Sequence, residues 1–63
     1  MEKNNPIPRW WAYRHIDGEI VVKHYLNDFA LNEADQSSFV TDRTEPFVAI
    51  DLEEARKTAK LLL

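Results

Sequence analysis

The sequence predicts an α+β fold in which a small antiparallel sheet is covered by a C-terminal helix, in the order β-β-(short α)-β-α. Two runs rich in aromatic and β-branched residues flank Asp17-Gly18, and such a pair is a strong signal for a β-hairpin. Residues 52–63 repeat apolar side chains at helical spacing, which predicts the closing helix. A chain of 63 residues is expected to form a single domain, here assigned to residues 9–63.

The predicted hairpin has strands near residues 9–16 and 19–25, after a polar lead-in over residues 1–8 that we expect to be flexible. A two-residue turn at Asp17-Gly18 would pair Trp11 with His24. This register collects the formal charges of residues 10–25 on one face, so we expect that face to be exposed and the other to be the core. The predicted core face carries Trp11, Tyr13, His15, Ile20, Val22 and His24, and the predicted exposed face carries Trp10, Ala12, Arg14, Ile16, Glu19, Val21, Lys23 and Tyr25.

A short helix is predicted next, over residues 33–37, because Asn32 is a suitable N-cap. Residues 39–43 and 46–50 then have the composition of extended segments. Pro46 cannot donate a ladder hydrogen bond, so it predicts a break, a bulge or a sheet edge between them.

The C-terminal helix is the clearest element. Asp51 is a suitable N-cap with Glu54 three residues later, and basic residues follow toward the C-terminus, as the helix dipole favours. The apolar stripe predicted to face the sheet consists of Leu52, Ala55, Ala59 and Leu62, with Leu63 beside it. Leu61 points roughly opposite Leu52, so we expect a monomer to expose it.

Composition excludes several classes of site. The chain has no cysteine and two histidines, so we predict no disulfide, no metal and no cofactor. His15 and His24 share a face in the predicted register but lie about 13 Å apart along it, too far to bind one ion. A single glycine and no cysteine leave neither a phosphate loop nor a thiol nucleophile, so we do not expect an enzyme.

The net charge of −3 argues against a general duplex-DNA binder. No apolar run is long enough to span a bilayer, and the polar start Met-Glu-Lys-Asn-Asn-Pro does not resemble a signal peptide. We therefore expect a complete small cytoplasmic protein without membrane contact. A core this small usually needs further stabilisation from disulfides, a metal or a second subunit. Since the sequence favours neither of the first two, we predict a homodimer with Leu61 as a dimer contact.

The predicted exposed face of the hairpin is the candidate partner-binding site. Trp10 and Tyr25 would lie opposite each other there, near Arg14 and Lys23, and aromatic residues with arginine are typical of interface hot spots. The same side chains could instead stack the bases of a single-stranded nucleic acid. A purely structural role is the third interpretation: the aromatic pair would stabilise the sheet, or another segment would fold over it.

The run from Trp11 to Gly18, followed by Val22-Lys23-His24-Tyr25, resembles a group of small single-domain phage and prokaryotic proteins with an aromatic-Ala-Tyr-Arg-His-Ile-Asp-Gly hairpin. Phe39-Val40, Pro46-Phe47 and Glu53-Glu54-Ala55 match later steps of that group, so the resemblance covers about residues 10–59. It implies a compact phage or prokaryotic protein, and small phage proteins often inhibit host machinery. The resulting hypothesis is a protein–protein interaction module that modulates a host complex, such as one of antiviral defence. A single-strand nucleic-acid module is the alternative.

Overall fold

The computed structural model describes residues 7–63, so residues 1–6 of the predicted lead-in lie outside the described part. Within that part the chain forms an antiparallel sheet of four strands and two helices, which confirms the predicted α+β class and the C-terminal helix. The elements are β1 (Arg9–His15), β2 (Ile20–His24), α1 (Asp28–Gln36), β3 (Val40–Arg43), β4 (Phe47–Val48) and α2 (Leu52–Leu62). β1 is central, with β2 on one side and both β3 and β4 on the other.

The hairpin turn differs from the prediction by one residue. The loop contains three residues, because the His15 N–H donates to the Glu19 carbonyl at 2.7 Å and the Gly18 N–H donates to the His15 carbonyl at 2.8 Å. Gly18 has a φ of 95°, whereas no residue other than glycine has a positive φ in the described chain. A two-residue type I′ turn would need Asp17 to adopt a positive φ as well. The structure instead has the geometry of a type I turn closed by a glycine bulge.

The turn is fixed by the side chain of Asp17. Its carboxylate accepts the Glu19 N–H at 2.8 Å, which satisfies a backbone donor inside the loop. This hydrogen bond, with a smaller contribution from His15, lowers the pKa of Asp17 below its ordinary value of 3.8.

The longer loop shifts the strand register, so both predicted faces are wrong. Trp10 pairs with His24 and Trp11 pairs with Lys23, whereas a two-residue turn would have paired Trp11 with His24. Side chains alternate along a strand, and a shift of one residue therefore moves one strand's whole set to the other face relative to its partner.

Each of the two adjacent tryptophans belongs to a separate core. Trp10 is 5% exposed and packs with Ala49 and Ala55. Trp11 is 3% exposed and packs with Leu31 and Ala34 of α1. Since consecutive residues of a strand point to opposite faces, the sheet is covered by α2 on the Trp10 side and by α1 on the Trp11 side. The sequence predicts one covering helix, whereas the structure has one helix on each face of the sheet and therefore three layers.

Helix α1 begins earlier than predicted, because Asn27 rather than Asn32 is its N-cap. Asn27 is fully extended, with φ −165° and ψ 179°, and its side-chain oxygen accepts the Phe29 N–H at 2.9 Å. This is the N-cap geometry that satisfies one of the free donors of the first turn. Asn32 lies on the exposed side of the helix interior.

Of the break, the bulge and the sheet edge predicted at Pro46, the structure has the break, which separates β3 from β4 along the same side of β1. Thr44, which is 5% exposed, bridges the gap. Its N–H donates to the Ala12 carbonyl at 2.8 Å, and its hydroxyl oxygen accepts the Ala12 N–H at 3.0 Å. These two bonds continue the pairing of the edge across the interruption.

The predicted N-cap of α2 is confirmed. The Asp51 carboxylate accepts the Glu54 N–H at 2.9 Å, while the Glu54 carboxylate accepts the Ile50 N–H at 2.8 Å. Ala55 and Ala59 are fully buried, so the helix lies close against β1 and β2. Leu52 and Leu62, predicted for the same stripe, are 41% and 56% exposed, because they flank the narrow alanine contact.

Candidate interaction surface

The predicted binding face is not assembled, because Trp10 is buried. Its indole N–H donates to the Ala49 carbonyl at 2.9 Å, and its ring stacks on His24 with the centroids 4.0 Å apart. Trp10 therefore belongs to the core beneath α2, and the prediction that it is exposed is wrong. The cause is the register together with α2: the three-residue loop brings Val22 onto the face of Trp10, and α2 covers that face through Ala55.

Tyr25 lies on the other face and does not pair with Trp10. Its ring is half-buried against the Trp11 core. Its hydroxyl donates to the Asp28 carboxylate at 2.5 Å, and this hydrogen bond, together with burial, raises the pKa of Tyr25 above 10.0. The predicted aromatic pair, which both the protein-binding and the nucleic-acid hypotheses used, is therefore not formed.

The two predicted cations also separate. Arg14 is half-buried, and its guanidinium donates to the Leu63 carbonyl oxygen at 2.7 Å, which links β1 to the end of α2. Lys23 is exposed on the Trp11 side of β2. Leu61 is 86% exposed, so its predicted exposure is confirmed.

The two histidines are on opposite faces, contrary to the prediction. His24 is paired with Trp10, while His15 stacks on Phe39 with the centroids 5.9 Å apart and the rings 8° from parallel. Within residues 7–63 no three histidine or acidic side chains are close enough to hold a metal ion. No helix in the same part of the chain is long and apolar enough to cross a membrane.

An acidic cleft of about 370 Å³ lies between α1 and β3, beside Arg43. Both carboxylate oxygens of Asp35 accept from Arg43, at 2.7 Å from Nε and 3.0 Å from Nη2, and this pairing lowers the pKa of Asp35. The fork-shaped contact joins α1 to β3. We therefore assign Arg43 a structural role at this cleft.

Five large apolar side chains are exposed on the chain segments at the end of the sheet away from the hairpin turn. We call them together the open-end patch. They are between 55% and 86% exposed, and they belong to the residues before β1, after β2, in the first turn of α1 and at or just after the end of β4. Arg9 is paired with Val48 on one side, and its carbonyl accepts the Tyr25 N–H at 2.9 Å on the other. The members are Ile7, Leu26, Phe29, Val48 and Ile50.

Sequence reasoning missed this patch, although part of it has a sequence signal. Residues 47–50 are all apolar, so alternation must place apolar side chains on both sides of the strand. Phe47 faces the Trp10 core, and Val48, 58% exposed, faces away from it. Leu26 and Phe29 flank the α1 N-cap and follow no periodic pattern that could have singled them out.

A smaller apolar pair lies at the hairpin turn. The Ile16 N–H donates to the Phe39 carbonyl at 2.9 Å, and their side chains are 54% and 58% exposed. Because the hydrogen bond anchors the turn to the start of β3, the pair has a fixed position at the opposite end of β1 from the open-end patch.

No protein-family model matches the sequence, and neither a curated protein nor a solved structure matches it.

Proposed function

We propose that this protein is a small cytoplasmic protein–protein interaction module, with a binding rather than a catalytic role, and that its partner covers the open-end patch. The observation that supports this proposal is the exposure of five large apolar side chains at the end of the sheet that contains Arg9. Exposed apolar clusters on small domains are costly in water and mark interaction sites more often than isolated residues do.

The composition of the patch fits a protein partner. Aromatic residues and arginine are enriched at interfaces, and the patch has one of each in Phe29 and the nearby Arg9. Each large apolar side chain that becomes fully buried contributes about 1.5–3 kcal/mol. Arg9 is exposed and would pair with a carboxylate of the partner. We therefore expect the partner to present an apolar surface that carries an acidic residue.

The resemblance to small phage proteins makes a host complex the first class of partner to test. The nucleic-acid alternative has lost the surface that it required, since Trp10 is buried and Tyr25 lies on the opposite face. We therefore favour a protein partner over a single-stranded nucleic acid.

The test is affinity purification of the tagged full chain from host lysate, with and without nuclease, using paired variants. Ile50→Glu places a charge in the patch at a side chain that is 68% exposed, so the fold should survive. Leu61→Glu makes the same change at an 86% exposed leucine on α2 and serves as the matched control.

We expect one discrete, nuclease-resistant partner, retained by Leu61→Glu and reduced at least tenfold by Ile50→Glu. The complex should weaken little with added salt, since counterion release gives nucleic-acid binding a steep salt dependence. Equal recovery with Ile50→Glu would contradict the proposed surface. Loss of the captured material on nuclease treatment would favour the nucleic-acid module instead.

A further inference from the structure

Strand β2 forms an open edge of the sheet. In the described part of the chain it pairs with β1 alone, in an unbroken register that contains neither proline nor bulge. The Tyr25 N–H donates to the Arg9 carbonyl, and the His15 N–H donates to the Glu19 carbonyl, so the odd-numbered residues of this strand region bond to β1. By antiparallel alternation the N–H and C=O groups of Ile20, Val22 and His24 point away from β1.

The other edge of the sheet is interrupted. β3 has a register shift opposite Arg14 and His15, and β4 is only two residues long and follows Pro46. Bulges, prolines and very short strands are the devices by which proteins prevent unwanted strand pairing. β2 has none of these three and carries one edge lysine, Lys23, so the two edges differ in their capacity to accept another strand.

We propose that β2 pairs antiparallel with β2 of a second copy, centred on Val22, and joins two molecules into one continuous sheet. The two-fold axis would place Val22 of one copy opposite Val22 of the other. The backbone N–H and C=O of Val22 point away from β1, so the two residues could bond to each other. Ile20 would lie opposite His24 of the second copy, and Val21 opposite Lys23. The residues that pair in this dimer are not members of the open-end patch, so the two proposals rest on different side chains.

The charges of the strand are compatible with self-pairing in this register. Glu19 would lie opposite Tyr25 of the second copy, so each charged side chain faces an uncharged one. Glu19 and Lys23 of different copies become diagonal neighbours on the same face, where opposite charges attract. A different partner strand would need this complementarity by coincidence, whereas a second copy supplies it by symmetry.

The composition of the core gives the chain a reason to dimerise. Five of the eight buried apolar residues in the described part are alanines, which contribute little apolar area. Domains of this size are marginally stable and often gain stability from a second subunit. A shared sheet also satisfies the free backbone groups of the edge.

The experiment is a charge swap at Val21, measured by sedimentation equilibrium of the full chain. Val21→Lys would place a lysine opposite Lys23 of the other copy in each of the two symmetric pairs, whereas Val21→Glu would place a carboxylate there. We expect Val21→Lys to raise the dimer dissociation constant about tenfold and Val21→Glu to preserve or lower it. The double variant Val21→Lys with Lys23→Glu should restore dimerisation, which a merely misfolded variant would not do.

Amide hydrogen exchange provides a second readout that does not depend on any substitution. The amides of Ile20, Val22 and His24 should become protected as the protein concentration rises. The amides of Val21 and Lys23 already bond to β1 and serve as internal controls.

A chain that stays monomeric at every concentration would overturn the proposal. So would a dimer that Leu61→Glu dissociates and Val21→Lys does not, since the contact would then be at the C-terminal leucines. In both cases the affinity purification would still report on the open-end patch, so the two proposals can fail separately.

Discussion

Trp10 provides the largest side chain of its core and a buried hydrogen bond to the Ala49 carbonyl. Truncation of a buried tryptophan costs about 3–5 kcal/mol. A folded chain of this length has a total stability of roughly 3–9 kcal/mol. Trp10 is thus a residue on which folding depends, which is the opposite of the surface role predicted from the sequence.

We expect Trp10→Ala to leave the chain largely unfolded, and Trp10→Phe to cost about 1–3 kcal/mol because the Ala49 carbonyl loses its donor. Urea denaturation followed by circular dichroism measures both effects. Leu26→Ala is the control, since this leucine is 86% exposed and its truncation should change stability by less than about 0.5 kcal/mol. A Trp10→Ala variant as stable as the wild type would contradict the burial of this side chain.

A single residue also explains why sequence reasoning chose the wrong face. The two- and three-residue turns differ in whether Asp17 adopts a positive φ, and Asp-Gly is compatible with both. Collecting the charges on one face favours the two-residue turn only if the other face alone is buried. Here both faces are covered, by α1 and by α2, so charge did not discriminate between the registers.

The sequence predicts correctly those boundaries of helices and strands that depend on local chemistry. The α2 N-cap at Asp51 and the break at Pro46 both follow from the properties of one side chain, and both are confirmed. The predicted start of α1 is wrong because Asn27 and Asn32 are equally suitable as N-caps when only the local sequence is considered. The choice between them is made by packing, since starting at Asp28 lets Leu31 and Ala34 reach the Trp11 core.

The two asparagines provide a matched test of that boundary. Asn27→Ala should destabilise the protein by about 1 kcal/mol, because the Phe29 N–H loses its acceptor. Asn32→Ala should leave stability unchanged or slightly raised, since alanine favours an exposed helix interior. Thermal unfolding of both variants measures the difference. The reverse order of stabilities would show that α1 begins at the predicted position.

The contact between α1 and β3 should make stability depend on pH. Arg43 lowers the pKa of Asp35 below 3.8, so the folded state favours the ionised carboxylate. The contribution of this contact to the free energy of unfolding is fully present above the pKa that Asp35 has in the unfolded chain. It is lost as the pH falls through the pKa of Asp35 in the folded state. Asp35→Asn should therefore be less stable than the wild type at neutral pH, and the gap should close in strong acid.

Urea midpoints across the acid range measure that gap. Asp42→Asn is the matched control, because Asp42 accepts the neighbouring Arg43 N–H at 2.9 Å and an asparagine oxygen can accept it equally. The control should stay close to the wild type at each pH. A gap between Asp35→Asn and the wild type that widened in acid would contradict the assigned sign.

Strand β1 is the element that both cores share. It bonds to β2 on one side and to β3 and β4 on the other, and its alternating side chains enter the cores beneath α1 and α2. Neither helix can keep its core without this strand. The only sign in the sequence that β1 serves two cores is its pair of adjacent tryptophans, and the predicted register places one of them on a buried face and the other on an exposed face.

The shared strand predicts that the two cores unfold together, and the tryptophans report on each separately. Trp11→Phe leaves Trp10 as the probe of the α2 side, and Trp10→Phe leaves Trp11 as the probe of the α1 side. In each variant we expect the fluorescence transition in urea to coincide with the transition by circular dichroism, as for a two-state domain. If the Trp11 signal changed at lower urea than the circular dichroism, α1 would detach first and the sheet with α2 would form an independent unit. Coincident transitions would mean that a contact which stabilises either face, including a partner strand on β2, stabilises the other face as well.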